Sequence, residues 1–181
     1  HSVEVEGVMA FKTRIVQLRD LPPGRFVSYG RTFQSPGWMR IAVLAVGYGH
    51  GYPWALSNRG EVLIRGRRAP VVGRVTMDLT MVDVSGIPEA APEDEVVLWG
   101  DQGGARIDLG EVAERAQTIP YDLLCSMGKR VVRLFLADGE PMKTLTLIGE
   151  REETEVIEGG GAAGPRRRRR RVRYRSTRSG S

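Results

Sequence analysis

Ile41-Ala42-Val43-Leu44-Ala45-Val46-Gly47-Tyr48-Gly49-His50-Gly51-Tyr52-Pro53 is an apolar run of strand type that ends in glycines alternating with aromatic and polar residues. A second stretch follows the same plan: Pro70-Val71-Val72-Gly73-Arg74-Val75-Thr76-Met77-Asp78 leads into Leu79-Thr80-Met81-Val82-Asp83-Val84. Short apolar and β-branched runs bounded by Gly and Pro predict strands. A strand that only fills a core gains nothing from ending in Tyr-Gly-His-Gly-Tyr. Glycines there indicate backbone held close to another group, or backbone in conformations closed to other residues. The two stretches read as strands whose ends carry a site.

Working outward, residues 8–18, 26–29, 39–46, 61–64, 70–75, 81–84 and 95–99 all read as short strands separated by turns. Residues 62–64 and 69–72 make a hairpin across Arg65-Gly66-Arg67-Arg68. Helical signals come late. Asp108 with Glu111 three residues on is an N-cap and capping-box pair for residues 109–116, with Leu109, Val112, Ala113 and Ala116 on the inner side. Pro120 opens a second short helix that Gly128 stops. Residues 130–136 and 143–148 return as strands. About eight short strands and two short helices predict a mainly-β domain, barrel-like or a sandwich.

With 41% hydrophobic residues in 181, the chain has material for a real core, and no apolar run is long enough to span a membrane. No signal pattern is present, so the expected location is cytoplasmic. The chain starts His1-Ser2 rather than with Met, so the sequence reads as a fragment or as starting at an artificial boundary, and an upstream signal or domain stays open. The single cysteine, Cys125, excludes an internal disulfide and weakens any cysteine-based metal site, and no metal is expected. The net charge of +5 misleads. Nine arginines (Arg166 to Arg171, Arg173, Arg175 and Arg178) follow Glu158 with no acid among them, and the remaining 18 basic and 22 acidic residues give the body a charge of −4. Residues 159–181 read as a disordered, arginine-rich tail able to make nonspecific, salt-dependent contact with nucleic acid.

Tyr48 heads the residues that could carry chemistry. A phenol ordinarily titrates near ~10, so one that takes a proton at neutral pH needs positive charge close by, and His50, Arg31 and Arg74 are the sequence candidates. The plainer reading is a tyrosine packed at a strand end. His50 reads either as a modulator of Tyr48 or as a polar turn residue. Met77, on an alternating strand, would ordinarily be core. Asp78 and Asp83 fall on opposite faces and make no carboxylate dyad. Neither a dinucleotide fingerprint nor a phosphate-binding loop occurs.

These segments together resemble the C-terminal domain of bacterial alanine racemase. The resemblance runs through Val8-Met9-Ala10-Phe11-Lys12-Thr13-Arg14, Val27-Ser28-Tyr29-Gly30-Arg31-Thr32-Phe33, Val46-Gly47-Tyr48-Gly49-His50-Gly51-Tyr52-Pro53 and Pro70-Val71-Val72-Gly73-Arg74-Val75-Thr76-Met77-Asp78. It ends with Ile119-Pro120-Tyr121-Asp122-Leu123-Leu124-Cys125 and Gly128-Lys129-Arg130-Val131. On this basis residues 1–7 are the end of a preceding segment, 8–137 the β-domain and 138–158 a peripheral strand or extension.

The resemblance implies an isomerase that interconverts L- and D-alanine with pyridoxal 5'-phosphate and feeds D-alanine to peptidoglycan. It implies an N-terminal barrel domain carrying the lysine that holds the cofactor, and a head-to-tail homodimer in which the β-domain of one subunit completes the site on the other's barrel. By motif position Tyr48 is one catalytic base. Met77 and Asp78 lie by the substrate carboxylate, Arg74 and Ile119 line the entryway, and Tyr121 sits by the cofactor phosphate. Lys12, Lys129 and Lys143, the three lysines present, match no cofactor-holding segment. The chain is therefore expected to be inactive without the barrel. It departs from the family in one motif, with Gly49-His50 where Ala-Asp is usual. The alternative is a non-catalytic β-domain whose arginine tail tethers it to nucleic acid or an acidic surface.

Overall fold

The computed structural model describes residues 9–137, 140–147, 149–157 and 168–176, the last two ranges as backbone. The linker reading of residues 1–7 lies outside them. The chain divides into two units at Gly128–Lys129. The first holds strands β1 (Phe11–Leu21), β2 (Phe26–Val27), β3 (Phe33–Gln34), β4 (Met39–Leu44), β5 (Glu61–Ile64), β6 (Arg67–Pro70), β7 (Thr80–Asp83), β8 (Glu95–Gln102) and β9 (Ala105–Ile107), then helices α1 (Leu109–Ala116) and α2 (Pro120–Ser126). The second holds β10 (Arg133–Ala137), β11 (Glu140–Thr146), β12 (Gly149–Ile157) and β13 (Arg168–Ser176).

In the first unit a seven-stranded sheet has the order β6-β5-β8-β1-β4-β7, with β9 pairing β8 from outside that path. All its pairings are antiparallel. The expected barrel does not form, because the strands make an open path with ends at β6 and β7. Between those ends runs a single bridge, Val71 to Val82, rather than a ladder. The local chemistry explains the interruption. Pro70 has no N–H to donate, and Gly73, at φ 76, turns the chain out of extended geometry two residues after the bridge.

The core lies along the middle strands. Ile15, Leu44, Val62, Leu63, Ile64 and residues 96–99 are buried, and the Phe11 and Trp99 rings meet at 4.8 Å. Four consecutive buried residues on β8 show a strand covered on both faces, and α1 is one of its covers. Val27, Met39, Ile41 and Val72 form a second cluster with Leu21, Phe33 and Met81.

Helix α1 begins as its sequence predicts, with the Asp108 carboxylate accepting the Gly110 N–H at 2.7 Å. Its capping-box partner behaves differently. Glu111 pairs with Arg68 and Arg115, and Glu61 bonds to the same two arginines, so four charges link β5, β6 and α1. An arginine fork outcompetes a backbone N–H for a carboxylate because both partners are charged. Pro120 stands at the first turn of α2, and Val112, Ala113 and Ala116 form the buried side of α1.

The second unit is a four-stranded antiparallel sheet in the order β10-β11-β12-β13. Within residues 159–181, the segment expected to lack structure, residues 168–176 are a strand, while 159–167 and 177–181 lie outside the described residues. In the backbone register Glu150 pairs with Arg175, Glu152 with Arg173 and Glu155 with Arg170. Among the described residues no helix is long and apolar enough to cross a membrane.

Candidate active-site half

Beyond Leu44 the chain leaves the sheet and residues 48–50 form a 3-10 turn carrying Tyr48. Two backbone bonds seat this turn on the other motif: Tyr48 donates its N–H to the Thr76 carbonyl at 3.0 Å, and Gly49 to the Met77 carbonyl at 2.9 Å. Gly47 makes that approach possible. A Cβ there would lie 2.1 Å from the Thr76 oxygen, inside any contact a side chain can make. The buried Thr80 hydroxyl adds a third tie, donating to the Val46 carbonyl at 2.8 Å.

On its other side the turn rests on the end of α2. The Ser126 hydroxyl lies within hydrogen-bond reach of two carbonyls, Leu123 at 2.8 Å and Gly51 at 3.1 Å, and a Cβ on Gly51 would sit 2.8 Å from the Ser126 carbonyl. Gly51 also has φ 94, a left-handed conformation that favours glycine. Residues 47–51 are thus held between two segments distant in sequence.

Met77 and Asp78 are not on a strand, which corrects the expectation of a core methionine. They occupy the centre of a tight turn in which Thr76 donates its N–H to the Leu79 carbonyl and Leu79 returns its N–H to the Thr76 hydroxyl. Met77 is 49% exposed and Asp78 half-buried. Tyr48 is 50% exposed, so it is no core tyrosine. Ile119, at 60%, caps α2, and Tyr121, at 75%, stands in its first turn. Hydrogen bonds therefore join Tyr48 to the Met77 turn directly. Tyr121 and Ile119 belong to the helix whose other end seats Gly51.

Neither arginine named as a charge source for Tyr48 is shown against it. The Arg74 guanidinium stacks on the Trp54 ring at 4.7 Å, and that of Arg31 on the Phe26 ring at 5.3 Å. Ser28, which the sequence reading passed over, fixes the Arg74 backbone by donating from its hydroxyl to the carbonyl at 2.7 Å. Ser28 itself has φ 61 and ψ −168, a strained region that persists only under surrounding constraint. Trp54 and Ser126 were likewise missed, since each meets its partner across a long sequence gap.

The family model for the alanine racemase C-terminal domain matches residues 8–135. The chain belongs to that family. A curated alanine racemase from Halothermothrix orenii is 47% identical over 133 residues, covering 74% of this chain and 35% of the relative. Among solved structures, alanine racemase from Bacillus anthracis with bound L-Ala-P aligns at TM-score 0.71 and 33% identity, over 76% of this chain and 35% of that one. The enzyme from Bartonella henselae, with covalently bound pyridoxal phosphate, aligns at 0.66 and 30% identity, over 70% and 34% of the two chains. This alanine racemase C-terminal domain thus spans about a third of the length of the relatives it matches.

The exposed groups of the domain fit such a cofactor only in part. Tyr121 offers a phenol that can donate to a phosphate. No lysine stands beside it in the first unit, where the one described lysine, Lys12, is held by the Glu95 carboxylate at 3.1 Å.

Proposed function

We propose that this domain supplies the tyrosine half of a pyridoxal phosphate-dependent alanine racemase site, the lysine half lying on a barrel domain outside this chain. The observation that carries the reading is the pair of backbone bonds from Tyr48 and Gly49 to Thr76 and Met77. They bring the base motif and the carboxylate motif together on an exposed surface, where one chain alone leaves them solvated. When bound by the barrel, pyridoxal phosphate supplies the electron sink that makes the α-proton of alanine acidic.

The rest falls to this chain's residues. Racemisation removes a proton from one face of the α-carbon and returns one to the opposite face, so it needs two proton carriers. Tyr48 is the carrier for one face, accepting and returning the proton at Oη. Its backbone, pinned between Thr76 and Met77 on one side and Ser126 on the other, fixes where that oxygen can reach. Met77 and Asp78 take the side of the substrate carboxylate. The Met77 N–H has no acceptor among the described residues and serves as the donor. Tyr121 contacts the cofactor phosphate, and Arg74, braced on Trp54, and Ile119 border the approach. Covering this surface with a barrel, from the same protein or a second subunit, excludes water from all of them.

The test is reconstitution. The 181-residue chain with pyridoxal phosphate should show neither alanine turnover nor the absorbance of a lysine-bound cofactor. Addition of a separately expressed racemase barrel domain should bring turnover. Tyr48→Phe should then lower the rate by about 10²–10⁴, with solvent-proton exchange lost on one face of alanine only. Turnover by the chain alone, or an unimpaired Tyr48→Phe enzyme, refutes the assignment.

A further inference from the structure

The turn that carries Tyr48 is closed by one side chain. Gly47 donates its N–H to Nδ1 of His50 at 3.4 Å, and His50 returns its own N–H to the Gly47 carbonyl at 2.9 Å. The first bond is long and the second of ordinary length. Together they form a reciprocal pair spanning Tyr48 and Gly49.

Gly47 is buried against the Thr76–Met77 backbone, so water is poorly placed to satisfy its N–H. A buried backbone donor needs a partner within the protein. A histidine ring accepts through Nδ1 only when neutral with its proton on Nε2. The bond thus selects one tautomer.

We propose that His50 is a positioning residue for Tyr48, holding the turn through an Nδ1 acceptor in the Nε2–H tautomer. The role of Tyr48 in proton transfer is taken from the function proposed above. The ring need not touch substrate. Its work is to keep residues 47–51 closed so that the phenol keeps one direction. A side chain at position 50 without an acceptor leaves Gly47 unsatisfied and lets the turn open.

The bond can be read on this chain alone. His1 is the only other histidine, so long-range ¹H–¹⁵N spectra of the labelled 181-residue chain near pH 8 resolve His50 directly. An Nε2–H pattern is expected, and an Nδ1–H pattern overturns the proposal. In the barrel-reconstituted enzyme, His50→Asn, which keeps an acceptor oxygen, should hold kcat within about threefold, and His50→Phe should lower kcat at least tenfold with KM within twofold. Equal damage by Asn and Phe, or kcat unmoved by Phe, also overturns it. If His50→Phe does not fold, His50→Ala replaces it under the same criteria. Tyr48→Phe, run in parallel, separates the two claims. If it is unimpaired the catalytic reading and the positioning role fall together, while the tautomer still decides the Gly47–His50 bond.

Discussion

Gly47→Ala is the sharpest perturbation of the site's foundation. The backbone at Gly47 is extended, with φ −160, so alanine meets no dihedral penalty and the whole effect is steric. Its Cβ would lie 2.1 Å from the Thr76 oxygen and 2.7 Å from both the carbon and oxygen of Met77. All three are backbone atoms, so no side chain can rotate away and the two segments must separate. Separation strains or breaks the bonds from Tyr48 and Gly49, each worth about 1 kcal/mol, on top of an overpacking cost of about 1–3 kcal/mol. The sum is about 3–5 kcal/mol, which at about 3–4 °C per kcal/mol lowers Tm by about 10–20 °C. Thermal unfolding of the chain, followed by circular dichroism and by fluorescence of the buried Trp99, measures it. Gly86→Ala is the control, because a Cβ there meets nothing within 4 Å. If Gly47→Ala melts within ~2 °C of that control, the close approach does not hold the turn.

Two further predictions concern stability. The Tyr52 hydroxyl is buried, 1% of the residue being exposed, with no hydrogen-bond partner among the described residues. Burial pushes its titration above that of an ordinary phenol. Tyr52→Phe should therefore be neutral or up to about 1 kcal/mol stabilising in urea unfolding, and a loss of more than that would reveal a partner for the hydroxyl. In acid, the fork of Arg65 on Asp94 and that of Arg68 on Glu111 hold both carboxyls below their usual range. Folded values lower than unfolded ones give stability that is complete only above the unfolded carboxyl range, at about pH 5 and higher, and is lost as pH falls through the folded values. Tm should drop on acidification below about pH 5, more shallowly in the Asp94→Asn, Glu111→Gln double variant. An unchanged slope there would assign the acid loss to other groups.

Local features of the chain were legible in sequence because they are decided by near neighbours. The β5–β6 hairpin follows from its Arg65-Gly66 turn, both residues having positive φ, and α1 and α2 follow from Asp108 and Pro120. The tyrosine and methionine motifs were found, but the geometry that joins them was not. Alternation along residues 70–78 put Met77 in a core, whereas the chain turns at Gly73 and again at Thr76, and Met77 faces solvent. Nothing in a local pattern reports that Gly47 must fit against Thr76, or that Ser126 reaches Gly51. Barrel closure failed as an inference for the same reason. Strand number and length are local, while the gap between β6 and β7 depends on where Pro70 and Gly73 fall in a register set by other strands.

The position of β1 bears on how the domain is made. It is the first strand among the described residues, yet it lies inside the sheet, between β4 and β8. Lys12 and Glu95, which meet across its junction with β8, are 83 residues apart. As the chain emerges from a ribosome, β1 finds β4 early but keeps its other edge bare until β8 has been synthesised. An unpaired edge flanked by apolar residues is a template for strand addition from another molecule. Long-range pairing of this kind also slows folding. Chains that terminate before residue 95 would carry this open edge permanently, and their yield as dispersed protein should depend more on that edge than on the loss of any site residue.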